Sequence, residues 1–421
     1  MIKHDRYGNS LTTSSAAAYD AYCEGVDLFL AAQAGGIELM QQACELDPGF
    51  AVAHADVARA LQICAQPKAA KQAIARAEAL LPTLAGSAQA QERSHVLVMQ
   101  DLLTGHGESA FAKIREHIKT WPRDVLVVLP CCGVFGLIGF SGRTGREQEN
   151  TDFMATLKDD YAGDWWFESQ YAFALCETGD LAAAETLNEA AFAANPANAN
   201  AVHHRAHIHY ETGEFTAGHE ALRAWRASYD PASILHCHLA WHDALWSLAK
   251  ADYDALWTTV RSCVLPEVAT APPINVMTDL VSVLLRAELA GAPVDQALWT
   301  NVSDYALQSF PRAGLSFADA HAAIAYATTG ADAALAPLLD SPQGPAGDVV
   351  AQVAQAFVAF RQSDWPAFTD LLAPALAMHE RLGGSRAQRD LLELSYQFGL
   401  HQQGKMSGSP RLSRVLPAGA G

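Results

Sequence analysis

A chain of 421 residues with 50% hydrophobic and 18% charged side chains has an ordinary soluble composition, which excludes disorder and leaves room for two or three domains or one elongated array. Its net charge of -18 argues against nucleic acid and against anionic membrane as main partners, because both select basic patches. Residues 1–15 lack the apolar core of a signal peptide and no run of about 18 apolar residues occurs anywhere, so the expected compartment is the cytoplasm.

In chain order, apolar residues recur at helical spacing over residues 15–33 and 36–46, where LDPGF supplies Pro48 as a breaker, and an alanine-rich helix is predicted over 50–64. Helix, breaker, helix is the unit. It recurs over residues 165–196, with a first helix ending at Gly179, a second beginning near Leu181, small Ala184 and Ala191 where the helices cross, and a closing Pro196. Gly213 follows Gly179 at the 34-residue period of the tetratricopeptide repeat, and Gly105, Ala110 and Pro122 carry the same internal offsets. Further turns are predicted at residues 251–253, 330–332 and 363–365. The best strand candidate, VLVVLPCCGVF at 125–135, contains Pro130 and Gly133 and fits a buried helix with a loop instead. The predicted fold is therefore all-α: a tightly curved α-solenoid of degenerate tetratricopeptide-like helix–turn–helix repeats over residues 1–406, followed by a flexible tail at 407–421.

Residues 201–246 hold eight of the sixteen histidines. His203 and His207 share one helical face, as do His238 and His242, because residues four apart stack one turn above another. A lone histidine in such a helix packs and bonds to its neighbours; two i,i+4 pairs on successive helices ask for more. The eight cysteines show no CxxC pair and read as buried thiols of a reducing compartment, with Cys237, between two histidines, standing apart.

The segments AFALCETGDLAAAE, AVHHRAHIHYETGEF, HLAWHDALW, TDLVSVLLRAELAG and GGSRAQRD, with the N-terminal DRYGNSLTTSS and LDPGFAVAHA, resemble the tetratricopeptide repeat protein 38 family over nearly the whole chain. The resemblance implies a curved solenoid, named for architecture rather than for a reaction. It also implies histidines at His203, His207, His238 and His242, an aspartate at Asp279, and the run Gln388, Arg389, Asp390. Two positions depart from that pattern: Tyr210 stands where the family has an acidic residue, and Arg386 where it has a histidine.

In stacked helical pairs the first helix of each pair lines the concave side. Glu168, His203, His207, His238 and His242 all lie on such helices, Asp279 and Arg286 share a face of the next one, and His321 and Arg389 lie on two more. If the solenoid curls tightly, these groups converge on a central pocket for a small molecule. His203, His207, His238, His242 and Asp279 are the candidates for chemistry, and Glu168, Trp241, Arg286, His321 and Arg389 for ligand contact. Three readings of the pocket compete: a metal centre, since imidazole with carboxylate suits zinc, iron or copper; metal-free acid–base chemistry, with Asp279 or Glu168 orienting an imidazole; and binding alone. No HExxH, nucleophile elbow, phosphate loop or dinucleotide fingerprint accompanies the histidines, so neither a cofactor nor a reaction class is assigned. The contrasting function is a scaffold that holds a protein partner or peptide on an open concave groove.

Overall fold

The computed structural model describes residues 2–406, and the expected flexible tail at 407–421 lies outside them. Helical hairpins follow one another along the chain: Ala16–Leu30 with Gly36–Leu46, Ala51–Ile63 with Pro67–Leu80, and Ala90–Leu103 with Gly107–His117. After an irregular stretch containing the short helix Val125–Val128 and the helix Arg146–Ala155, the hairpins resume. They are Trp165–Thr178 with Leu181–Ala194, Ala199–Thr212 with Phe215–Arg226, and His236–Ala249 with Tyr253–Thr259, the last running into a π-type turn. Pro273–Leu289 with Gln296–Ser309, Ser316–Thr329 with Asp332–Asp340, Gly347–Arg361 with Trp365–Leu376, and the single helix Arg386–Gln402 complete the array. An antiparallel pair of three-residue strands, Ile2–His4 with Ser10–Thr12, precedes it.

The predicted turns form for local reasons. Gly179 and Gly213 both cap their helices with positive φ, at 89° and 79°, a conformation that costs other residues about 1–2 kcal/mol. The hairpin after His236–Ala249 turns at Ala251 with φ 57° and the one after Gly347–Arg361 at Ser363 with φ 56°, which is why these repeats look degenerate in sequence. Each is followed by an aspartate, Asp252 or Asp364, whose side chain caps the next helix. Ala184 and Ala191 are fully buried at the crossing of their hairpin, where a larger side chain would force the helices apart.

Two closures bend the stack back on itself. Near the N-terminus, the loop after Ala16–Leu30 meets the histidine helices: the Ala199 N–H donates to the Ala31 carbonyl at 3.0 Å, and the Ala34 N–H to Ser233 Oγ at 3.1 Å. At the C-terminus, Arg146 donates to the carbonyls of Glu380 and Gly384, each at 2.6 Å. There too the Arg386 N–H donates to Glu177 at 2.8 Å. Nearby, Tyr210 Oη donates to Asp390 at 3.1 Å, and Arg386 pairs with Glu211 at 3.2 Å. Tyr210 and Arg386 thus both lie in this closing seam. Among the described residues no helix is long and apolar enough to cross a membrane.

Candidate functional site

The two i,i+4 histidine pairs face each other. Helix Ala199–Thr212 carries His203 and His207, helix His236–Ala249 carries His238 and His242, and one ring nitrogen from each lies within 4.8 Å of the other three. His203 Nε2 and His207 Nε2 are 2.9 Å apart, so one donates to the other. Asp279, on Pro273–Leu289, accepts from His238 Nδ1 at 2.8 Å, which turns His238 Nε2 away from the carboxylate. Asp279 Oδ1 and His242 Nε2 are buried with no hydrogen-bond partner among the described residues. Such orphaned atoms cost stability unless something completes them.

The electrostatics follow from burial. Removal from water lowers the pKa of His203, His207 and His242 well below the usual histidine value, and neighbouring imidazoles lower it further. All three rings are therefore neutral near pH 7, with a lone pair available. Asp279 is raised by burial, an effect that His238 and Arg286 oppose. Phe173 packs against His203 and His207 and stacks flat on His204 at 4.5 Å, walling the cluster on one side. Trp241 stacks on His238 at 5.0 Å and meets His242 edge-on at 4.7 Å on another.

His203, His207 and His238 open onto a chamber of about 950 Å³, whereas His242 lies behind them. The chamber is lined largely by aromatic and aliphatic side chains, including Phe29, Phe111, Phe135, Phe140, Trp166 and Phe173. Its polar lining includes Arg59, Gln62, Gln170, Asn200, Ser385 and Gln388. A volume of this size suits a small-molecule ligand.

The structure brings together the five residues proposed for chemistry and separates most of those proposed for ligand contact. Glu168 accepts from the Gly163 N–H at 2.8 Å, a local bond at the start of its own helix. Trp241 is fully buried and supports the histidines without lining the chamber. Arg286 lies over Trp241 at 5.7 Å and donates to Ser282 Oγ and to the Ala387 carbonyl, tying the last helix to Pro273–Leu289. Arg389 is spent on the Gly384 carbonyl and Glu147. His321 donates from Nδ1 to the Phe317 carbonyl at 2.8 Å. Each of these side chains sits on a first helix, as expected, but backbone carbonyls capture Arg286, Arg389 and His321. Cys237 is buried, and burial pushes its thiol well above the ordinary range, so its two histidine neighbours do not activate it. The sequence reading missed Arg59 and Gln62. The signal available for them was their shared face, three residues apart on the first helix Ala51–Ile63.

His321 provides a pH test that is separate from the cluster. Burial depresses it to about 4, with Arg286 adding to the effect, so the unfolded chain binds a proton below pH 6.5 that the folded chain refuses. Stability is then lost as pH falls, by about 3 kcal/mol between pH 6.5 and 4. Urea unfolding of His321→Gln over this range should show a pH slope shallower than wild type by that amount. Equal slopes would contradict the assignment.

No family model matches the chain. Among solved structures, a crystal structure of the P58(IPK) TPR domain is similar at 15% identity, covering 93% of this chain and 100% of that one, with a TM-score of 0.23. The all-α helical-repeat fold described above rests on the helices and turns themselves.

Proposed function

We propose that this helical-repeat protein binds one transition-metal ion on His203, His207, His238 and His242 and a small molecule in the adjoining chamber, where the ion assists chemistry on it. The convergence of four buried imidazole nitrogens within 4.8 Å of one another carries the reading. Imidazole nitrogens about 2.0–2.1 Å from a zinc-sized ion stand about 3.4 Å apart in a tetrahedron, against separations of at most 4.8 Å here. An all-imidazole set suits zinc, iron or copper, and the Asp279–His238 bond is the carboxylate–histidine support such ligands commonly have.

Each residue then has a role. Asp279 fixes the tautomer of His238, Phe173 and Trp241 restrict ring rotation, and His242 closes the site from behind. His203, His207 and His238 leave the chamber side accessible. An ion held there would supply Lewis acidity, and with four imidazoles bound a chamber ligand would reach it as a fifth group. The alternative role of repeat solenoids, holding a peptide on the concave face, would leave the four-imidazole cluster without a part to play.

The test is elemental analysis of untagged protein purified without chelator or nickel resin, beside His203→Ala and His242→Ala, with circular dichroism confirming helicity. About one zinc, iron or copper per chain, lost in both variants, is the expected result. Wild-type protein that is metal-free and takes up none of the three on titration would overturn it.

A further inference from the structure

The chamber that adjoins the histidines has charge as well as apolar wall. Three charged side chains line it, Arg59, Arg143 and Glu108. Arg143 is paired with Glu149 at 2.6 Å, and Glu108 is exposed. Arg59 differs from both. It is half-buried, no carboxylate among the described residues pairs with it, and its one side-chain bond runs from Nη1 to Gln62 Oε1 at 2.6 Å. Gln62 is held in turn by donating from Nε2 to the Leu102 carbonyl at 3.2 Å. In a chain with 46 acidic side chains against 28 basic ones, a lumen-lining cation without a carboxylate is conspicuous. Burial pulls its pKa down to about 10, which still leaves it charged at neutral pH.

We propose that the chamber takes a small monocarboxylate with an apolar body, its carboxylate seated on the Arg59 guanidinium that Gln62 orients and its body against the aromatic wall. The inference rests on the chamber being a ligand site, as in the preceding reading, but not on the metal. A planar guanidinium pre-set by one hydrogen bond matches a carboxylate's two oxygens. One arginine without a carboxylate partner, with Arg143 neutralised by Glu149 and no lysine in the lining, fits one negative charge better than the two of a phosphate monoester. The body of the ligand is either an alkyl chain or an aromatic ring system, and both present the same carboxylate to Arg59.

The test is isothermal titration of full-length protein of known metal content with decanoate, 2-naphthylacetate and the neutral decanol. One or both acids should bind more tightly than decanol. Arg59→Gln should weaken the acids by about ten- to a hundredfold and leave decanol unchanged, with Arg59→Lys recovering part of the loss. If Arg59→Gln does not fold, Gln62→Leu keeps the charge but frees the fork, and should weaken the acids by about tenfold. Decanol binding as tightly as the acids, no acid binding at all, or acid affinities unchanged in the variants would overturn the proposal. Acid binding to protein that takes up no zinc, iron or copper on titration would refute the metal reading and leave this one standing.

Discussion

Asp124→Ala should cost about 3–5 kcal/mol of folding stability, a large part of the roughly 5–15 kcal/mol that a folded protein has. Asp124 is buried and accepts from His95 Nδ1 at 3.0 Å, His117 Nε2 at 3.0 Å and Gln91 Nε2 at 2.9 Å. His95 Nε2 continues to Asp56 at 2.7 Å, and Asp56 accepts from Tyr22 Oη, also at 2.7 Å. One network therefore joins the first helices of the first three hairpins. Burial by itself would protonate Asp124, but His95 and His117 hold its carboxyl well below the usual range. Burial likewise opposes charge on His95, yet Asp124 and Asp56 together hold it well above the usual value.

The signs then follow. The Asp124 contribution is present above about pH 4 and lost in acid, and the His95 contribution is present below about pH 6.5 and lost as pH rises through its raised pKa. Removing Asp124 leaves the buried His95 with Asp56 as its one carboxylate and strips buried Gln91 Nε2 and His117 Nε2 of their acceptor, which makes one substitution so costly. Urea unfolding at pH 7 measures the loss. A change below about 1 kcal/mol, the size of an ordinary substitution, would show that the network does not hold these hairpins together.

Metal affinity should fall in two unequal steps at the histidine cluster. His238→Ala removes a ligand and should weaken binding by about a hundredfold or more, since roughly 10–16 kcal/mol of binding is shared among four ligands in structural zinc sites. Asp279→Asn keeps all four imidazoles but no longer holds His238 in one tautomer, and should cost about ten- to a hundredfold. Competition with a chromophoric chelator reads both. The order matters more than either value: a loss in Asp279→Asn equal to that in His238→Ala would make the aspartate itself a ligand, and no loss in Asp279→Asn would make its bond to His238 incidental. The orphaned Asp279 Oδ1 supplies a control, because an amide is easier to bury than a carboxylate. Metal-free Asp279→Asn should therefore be no less stable than metal-free wild type.

How the site was legible from residues alone differs from one side chain to the next. His203 with His207, and His238 with His242, were readable because helical periodicity puts residues four apart on one face wherever the helix goes. Asp279 was readable by adding that first helices face inward. Arg286, Arg389 and His321 satisfied the same rule and were nonetheless taken up elsewhere, by the carbonyls of Ala387, Gly384 and Phe317. An inner helix touches its neighbours as well as the lumen, and a buried donor within reach of an unpaired carbonyl goes to the carbonyl. Glu168 shows the same competition at a helix start, where a nearby backbone N–H captured it. Arg59 went unnoticed because it pairs with Gln62 at a spacing of three in an alanine-rich helix, where no cluster of one residue type drew attention to the face they share.

The sequence by itself determined the local features: the helical hairpins, the positive-φ turns at Gly179 and Gly213, the aspartate caps, and the pairing of histidines on two helix faces. Each depends on residues within a few turns of one another. Which faces meet was decided only by the tertiary structure. The curvature of a repeat stack is the sum of small rotations at every hairpin junction, and no short motif records that sum. Here it draws the loop after Leu30 onto the histidine helices and the last helix onto Arg146 and Glu177. That curvature turned two unremarkable i,i+4 pairs into a four-imidazole cluster at the wall of a chamber, and placed Arg59 in the lining of the same space.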